Sequence, residues 1–346
     1  MFIKDLACIS PQPTFDHSFF EGDVRSFDSN KYLAVEPPYG EVIPRNLLRR
    51  MGKAVKMGIW TGMKLIERDP GLEGILIGTG EGSAEDFISF MEQILEYEEG
   101  TLTPTAFVQS TPNALAGTLA LMSQNTAYNS TYVDKGSAFE SALLDALMLF
   151  EENEVDSLLV GNMEQYSQDT FNIAALDGEY KEEQVSSTEL LRSGTPGTVC
   201  GEGCAMFTLG RKKEGAYAEV VDVDQTLTPS KEEFPGRVKA FLQRNGLTPG
   251  SIDGLLLGVN GDSRTDHWYY ELLERTFPEK AAWAFKPLIG EFPSASALGT
   301  WFGTQLLYGE ELPENCVLKK ASGTPRYLLI YNHHKGVEHG LILLRR

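Results

Sequence analysis

The segment Thr131-Tyr-Val-Asp-Lys-Gly136-Ser137-Ala-Phe-Glu-Ser-Ala-Leu-Leu-Asp-Ala-Leu147 has the outline of a nucleophile elbow with its centre missing. A strand-like run over residues 127–133 leads through a tight turn into a segment whose apolar residues Phe139, Ala142, Leu143, Ala146, Leu147 and Phe150 fall at helical spacing. A thiol on such a turn would sit at a helix N-terminus, where the backbone dipole favours negative charge and lowers its pKa. The residue there is Gly136, which offers backbone alone. Beside it, Ser137 is an alternative nucleophile, provided that some base activates it.

Other groupings that could do chemistry have weaker spacing. His333, His334 and His339 invite a metal reading, but adjacent residues of an extended segment point to opposite faces, so only one of the first two can join a given site. Cys200 and Cys204 flank Gly-Glu-Gly with a Cys-x3-Cys spacing and no second pair, which fits two small buried residues better than zinc. Gly78-Thr-Gly80-Glu-Gly82 is a glycine-rich turn after a strand that satisfies neither a phosphate-loop nor a dinucleotide fingerprint. The expectation is therefore no metal and no cofactor.

Composition narrows the partners. The chain has 346 residues, 42% apolar, with no run approaching the roughly 18 consecutive apolar residues of a membrane span. Its N-terminus carries Lys4 and Asp5 where a signal peptide would be apolar, and four cysteines form no disulfide framework, so the expectation is a cytoplasmic protein with buried thiols. A formal charge of −19 opposes nucleic acid and anionic membrane. Against that trend, residues 45–64 carry Arg45, Arg49, Arg50, Lys53, Lys56 and Lys64 without an acid between them. This stretch reads as one long helix, either a solvated face or a docking patch for an acidic partner.

The elements that must position these residues read as an alternation of strands and helices, which argues for α/β architecture. Strands are predicted over 74–78, 157–161 and 254–258, apolar on both faces as in a sheet covered on two sides, and over 205–209, 218–223, 327–331 and 340–344. Helices are predicted over 45–67, 84–97, 112–123, 138–153, 231–246, 266–277 and 294–308. SLLVG followed by Asn162 and GLLLG followed by Val259-Asn260 hint at two similar halves, 1–210 and 211–346, divided at the charged connection 210–215. Residues 180–191 read as a mobile surface loop.

Five segments in order then carry a resemblance. Thr111-Pro-Asn-Ala-Leu-Ala-Gly117, the elbow 136–146, Asp156-Ser-Leu-Leu-Val-Gly-Asn-Met-Glu164, Thr198-Val-Cys-Gly-Glu-Gly-Cys-Ala205 and Lys286-Pro-Leu-Ile-Gly-Glu291 together are similar to β-ketoacyl synthases of the thiolase fold, over nearly the whole chain. The resemblance implies two similar halves, each a five-stranded sheet with helices, packed as an α-β-α-β-α sandwich, and a dimer. In active members a Cys accepts the acyl group and two His stabilise the charge that develops in decarboxylative condensation. Carried over by position, the Cys falls on Gly136, the first His on Asn260 and the second on Glu291, while the supporting Lys286 and Glu271 match. The C-terminal gate of the family falls on His333-His334-Lys335-Gly336.

What this implies is a non-catalytic partner of an active β-ketoacyl synthase, like the chain length factors of bacterial type II polyketide, aryl-polyene or flexirubin-like pathways. Its expected partners are a ketosynthase subunit or a second copy of itself, and an acyl carrier protein docked on Arg45, Arg49, Arg50, Lys53 and Lys56. Two other readings stay open. One is an acyltransferase or decarboxylase using Ser137, Asn260 or Glu291, with Asn260 holding a carbonyl as amides do in oxyanion holes. The other is a non-catalytic homodimer that binds an acyl chain or carrier protein.

Overall fold

The computed structural model describes residues 1–100 and 102–346. The N-terminal run consists of β1 (Phe2–Ile9), β2 (Lys31–Tyr32), α1 (Arg45–Leu48), α2 (Lys53–Ile66), β3 (Gly74–Thr79), α3 (Ala84–Glu96), α4 (Pro104–Gln109), α5 (Ala114–Ser123), β4 (Tyr128–Val133), α6 (Ala138–Glu151), β5 (Ser157–Asn162), α7 (Gln168–Leu176), β6 (Cys200–Gly201) and β7 (Cys204–Gly210). After it come β8 (Ala218–Leu227), α8 (Phe234–Arg244), β9 (Gly254–Leu257), α9 (His267–Thr276), β10 (Ala281–Ala284), α10 (Lys286–Ile289), α11 (Ser296–Tyr308), β11 (Val317–Lys319), β12 (Tyr327–His334) and β13 (Glu338–Arg345).

The strands run β11-β10-β9-β12-β13-β8-β1-β7-β5-β3-β4. Within each run the order is the same: β4-β3-β5-β7-β1 in the first, β10-β9-β12-β13-β8 in the second. The first three strands of each set are parallel, and the fourth is antiparallel to its neighbours. Two departures from the expected pair of five-stranded sheets are plain. β11 adds a sixth strand to the second set, and β1 pairs with β8 over Phe2↔Glu219 and Ile3↔Ala218, so the two sets are continuous.

Period-two alternation sorts the strand residues into layers. Leu76, Leu158, Val160, Leu256, Leu328 and Ile330 face a central cluster that holds Phe139, Ala142 and Leu143 of α6 with Trp301 and Phe302 of α11. Their neighbours Ile75, Ile77 and Leu159 face an outer layer of α2 and α5, whereas Leu255, Leu257, Leu329 and Tyr331 face the opposite outer layer of α8 and α9. This is the α-β-α-β-α sandwich. Ser296 to Leu307 are all buried, which explains why α11 is apolar around its whole circumference; side chains such as Trp301 and Phe302 contribute about 1.5–3 kcal/mol each on burial.

Two local expectations are corrected. The basic stretch is two helices broken over residues 49–52, where Gly52 takes an extended conformation (φ −63°, ψ 165°) that ends one helix geometry and starts α2, whose Ala54, Val55, Met57, Ile59 and Leu65 are buried. Residues 180–191 are anchored: Lys181 donates to the carbonyls of Thr195 (3.1 Å) and Gly261 (2.9 Å), Asn30 Nδ2 donates to Lys181 O (2.7 Å), and Ser187 and Leu190 are buried.

Candidate functional site

β4 ends at Val133, and Lys135 takes the left-handed conformation (φ 40°) that turns the chain into α6. Gly136 therefore does not serve a positive φ; it serves a close approach. A Cβ built at Gly136 would lie 3.1 Å from His334 Cγ and 3.2 Å from Glu338 Oε2, and closer still to His334 Cβ. His334 ends β12 and Glu338 opens β13, cross-strand partners at the tip of the C-terminal hairpin. The hairpin thus fills the volume that a side chain on the elbow would occupy. Ser137 is buried, its N–H donates to Asp134 O, and among the described residues no base hydrogen-bonds its hydroxyl.

Asn260, Glu291 and Lys286 come together although 31 residues of chain separate the first two. Asn260 follows β9, and its turn is held by the Asp266 carboxylate, which accepts the N–H groups of Asn260 (3.1 Å) and Gly261 (2.8 Å). Glu291 is placed by its backbone, with Gly201 N–H donating to its carbonyl and its own N–H donating to Val199 O, so β6 fixes it. Asn260 Nδ2 donates to Glu291 Oε2 and Lys286 Nζ donates to Glu291 Oε1, each at 2.6 Å. Burial alone would keep Glu291 protonated, but Lys286, which has 0% exposure, and the nearby His334 hold its carboxyl well below the usual range. Burial pulls the Lys286 ammonium down, opposed by the Glu291 charge. His334 Nδ1 lies 3.9 Å from Glu291 Oε1 and has no hydrogen-bond partner among the described residues.

A cavity of about 890 Å³ opens onto Asn260, Glu291 and His334. Gly136 and Ser137 are not among its walls, so His334 screens the elbow from it. The α7 helix forms one side with exposed Ile173 and Leu176. Opposite, Gly82 and Glu81 of the glycine-rich turn line the cavity, and Glu164 accepts from Ser294 Oγ (2.7 Å) and from Gly80 N–H; burial pushes the Glu164 carboxyl up to about 8.

The remaining predicted residues separate. Lys53 is turned inward onto Glu202, whose carboxylate is fully buried and also accepts the N–H groups of Ala34 and Tyr166. It is therefore withdrawn from the exposed set, which keeps Arg45, Arg49 and Arg50; Lys56 is half-buried. The first turn of α2 touches the cavity rim where Ala54 N–H donates to Gln165 Oε1 (2.8 Å). Glu271 pairs with Arg275 on the surface of α9 (3.6 Å). His333 turns away from His334 and stacks on Tyr269 (4.4 Å), beside His339, and no cluster of ligating side chains able to hold a metal occurs among the described residues. All four thiols are free and buried, and burial pushes Cys200 and Cys204 up to about 12. Sequence reasoning missed Asp266, Lys181 and Glu164 as positioning groups. Asp266, six residues after Asn260 and just before a helix, was the one with a local signal.

Among the described residues β4 has no neighbour beyond β3; elsewhere, α3 and α4, which pack on each other, bury none of their residues. Phe87, Met91 and Leu95 of α3 and Phe107 and Val108 of α4 are exposed, and among the described residues no helix is long and apolar enough to cross a membrane.

Residues 28–184 match the β-ketoacyl synthase N-terminal domain. No curated protein matches the chain. Among solved structures, a β-ketoacyl synthase from Burkholderia phymatum superposes with a TM-score of 0.79 at 15% identity, covering 100% of this chain and 98% of that one. The ishigamide ketosynthase/chain length factor gives 0.78 at 16%, covering 99% and 98%. A ketosynthase in complex with its chain length factor from Xenorhabdus doucetiae gives 0.76 at 15%, covering 99% and 97%. The resemblance read from the five sequence segments therefore stands: the chain is β-ketoacyl synthase-like, with a β-ketoacyl synthase N-terminal domain over residues 28–184 and the thiolase-like fold of the condensing enzymes throughout.

Proposed function

We propose that this chain is a non-catalytic, chain-length-factor-like partner of an active β-ketoacyl-carrier protein synthase in fatty acid or polyketide-type biosynthesis. The observation that carries this reading is the elbow. Where the family places its acyl-accepting Cys, the chain has Gly136, and His334 occupies the side-chain volume. Asn260 and Glu291 stand at the positions of the two His, and Glu291 is neutralised by Lys286 instead of being free to exchange a proton. The cavity survives, so the chain keeps a wall for an acyl group without a residue to accept one.

The unpartnered β4 edge and the apolar exposed faces of α3 and α4 are where we place the ketosynthase subunit. Exposed Arg45, Arg49 and Arg50, close to the cavity rim on an otherwise acidic body, would steer an acidic acyl carrier protein. The two halves divide in the charged connection between β7 and β8. A reading through Ser137 chemistry has no observation in its favour, since among the described residues no base hydrogen-bonds the hydroxyl. The test is to incubate the purified chain, alone and with an intact Cys-His-His ketosynthase, with acyl primer and malonyl carrier protein. Product from the pair only, together with a stable complex of the two, is expected; condensation by the chain alone would sink the reading.

A further inference from the structure

The cavity's charges are lopsided. Glu81, Glu164, Asp177, Glu179, Asp262 and Glu291 line it together with two cations, Arg264 and Lys335. Both cations are already engaged: Arg264 grips Asp262 through two nitrogens (2.6 and 2.9 Å), and Lys335 pairs with Glu179. Asp177 has no ion-pair partner among the described residues. Glu291 has both oxygens taken by Asn260 and Lys286, and the Lys286 ammonium, wholly buried, is not among the cavity's walls. His334, nine-tenths buried, lines the same wall with Nδ1 unpartnered among the described residues.

We propose that this cavity receives an uncharged acyl thioester, its carbonyl facing His334, and excludes acyl groups that carry a free carboxylate. This deepens the acyl-wall reading above and rests on it. A cleft with an excess of one sign of charge concentrates its field, and a carboxylate entering past Glu81 and Asp177 would leave water with both wall cations already paired. A neutral chain has no such penalty and can bury its methylenes against Ile173 and Phe292.

The experiment is calorimetric titration of the full chain with S-butanoylpantetheine and with S-malonylpantetheine, at low and high salt. The butanoyl ligand is expected to bind at least about tenfold more tightly at low salt, with a smaller gap at high salt where the mouth charges are screened. Replacing Asp177→Asn together with Glu179→Gln frees Lys335 at the mouth and should improve malonyl binding relative to butanoyl binding, narrowing the gap between them; an unchanged gap overturns the charge-based discrimination. Both positions lie on the surface loop after α7, so folding is preserved. Equal or tighter malonyl binding overturns the discrimination and leaves the acyl-wall reading standing. Failure of both ligands to bind overturns the discrimination and that reading together.

Discussion

Placing a thiol on the elbow by Gly136→Cys alone should destabilise this protein and leave the new thiol unreactive. The new Cβ would meet His334 Cγ at 3.1 Å and Glu338 Oε2 at 3.2 Å, with His334 Cβ closer still. That overlap is with an atom next to the backbone of a buried strand end, which cannot swing aside as the tip of a long side chain could. Overpacking of this kind costs about 1–3 kcal/mol. The geometry also orders the rescues. His334→Ala removes Cγ but keeps the nearest atom, so combining it with Gly136→Cys should recover only part of the loss. His334→Gly clears the contact, and a coupling of about 1–3 kcal/mol is expected between Gly136→Cys and His334→Gly. Urea unfolding of the single and double variants measures the stabilities. Intact mass after brief native alkylation, and after incubation with an acyl carrier protein, shows whether the introduced thiol is reachable; the four native thiols are buried and stay silent. The reasoning is refuted if Gly136→Cys is as stable as the parent and its effect adds to that of His334→Gly within about 0.5 kcal/mol.

Lys53→Ala should cost about 3–5 kcal/mol in chemical denaturation because it strands the buried Glu202 carboxylate, whereas Arg49→Glu and Arg50→Glu should each change stability by no more than about 0.5 kcal/mol. The two Arg variants should nonetheless weaken carrier-protein binding and flatten its salt dependence, measured by titration; unchanged binding would remove α1 and its following turn from the docking surface. Glu164 has its folded pKa raised from 4.5 to about 8, so its contribution to stability is complete below pH 4.5 and is lost as pH rises toward 8. Glu164→Gln keeps an acceptor for Ser294 and Gly80, and should remove from that window a fall in stability of up to about 1.4 kcal/mol per pH unit, read as a flatter plot of unfolding free energy against pH.

Much of the architecture was legible because its strands carry strong period-two or fully apolar signals. GILIG, SLLVG and GLLLG all became buried strands, and the helix after the elbow formed where the apolar spacing placed it. β1 was less legible: Phe2–Ile9 includes Lys4 and Asp5, whose charges hide the strand because their side chains reach other parts of the chain, Lys4 to carbonyls of the β7–β8 connection and Asp5 to Arg68 (2.9 Å). α7 escaped notice for a different reason. It buries none of its residues and leaves Ile173 and Leu176 exposed toward a cavity, so no core-facing stripe marks it. The basic stretch misled because charge was visible locally while its use was not: Glu202, which claims Lys53, lies 149 residues away.

By itself the sequence determined the fold class, the elbow outline and the identities of Gly136, Asn260 and Glu291, since each is written in local pattern or residue identity. Only the tertiary structure decided why position 136 is glycine. The contact that requires it comes from His334, almost two hundred residues later, at the tip of a hairpin that crosses from the other half of the sandwich. The same holds for Glu291, whose charge state follows from Lys286 and Asn260 meeting it in a buried place. Packing and electrostatics are set by what surrounds a residue in space, and in a two-halved sandwich most of what surrounds this site is distant in the chain.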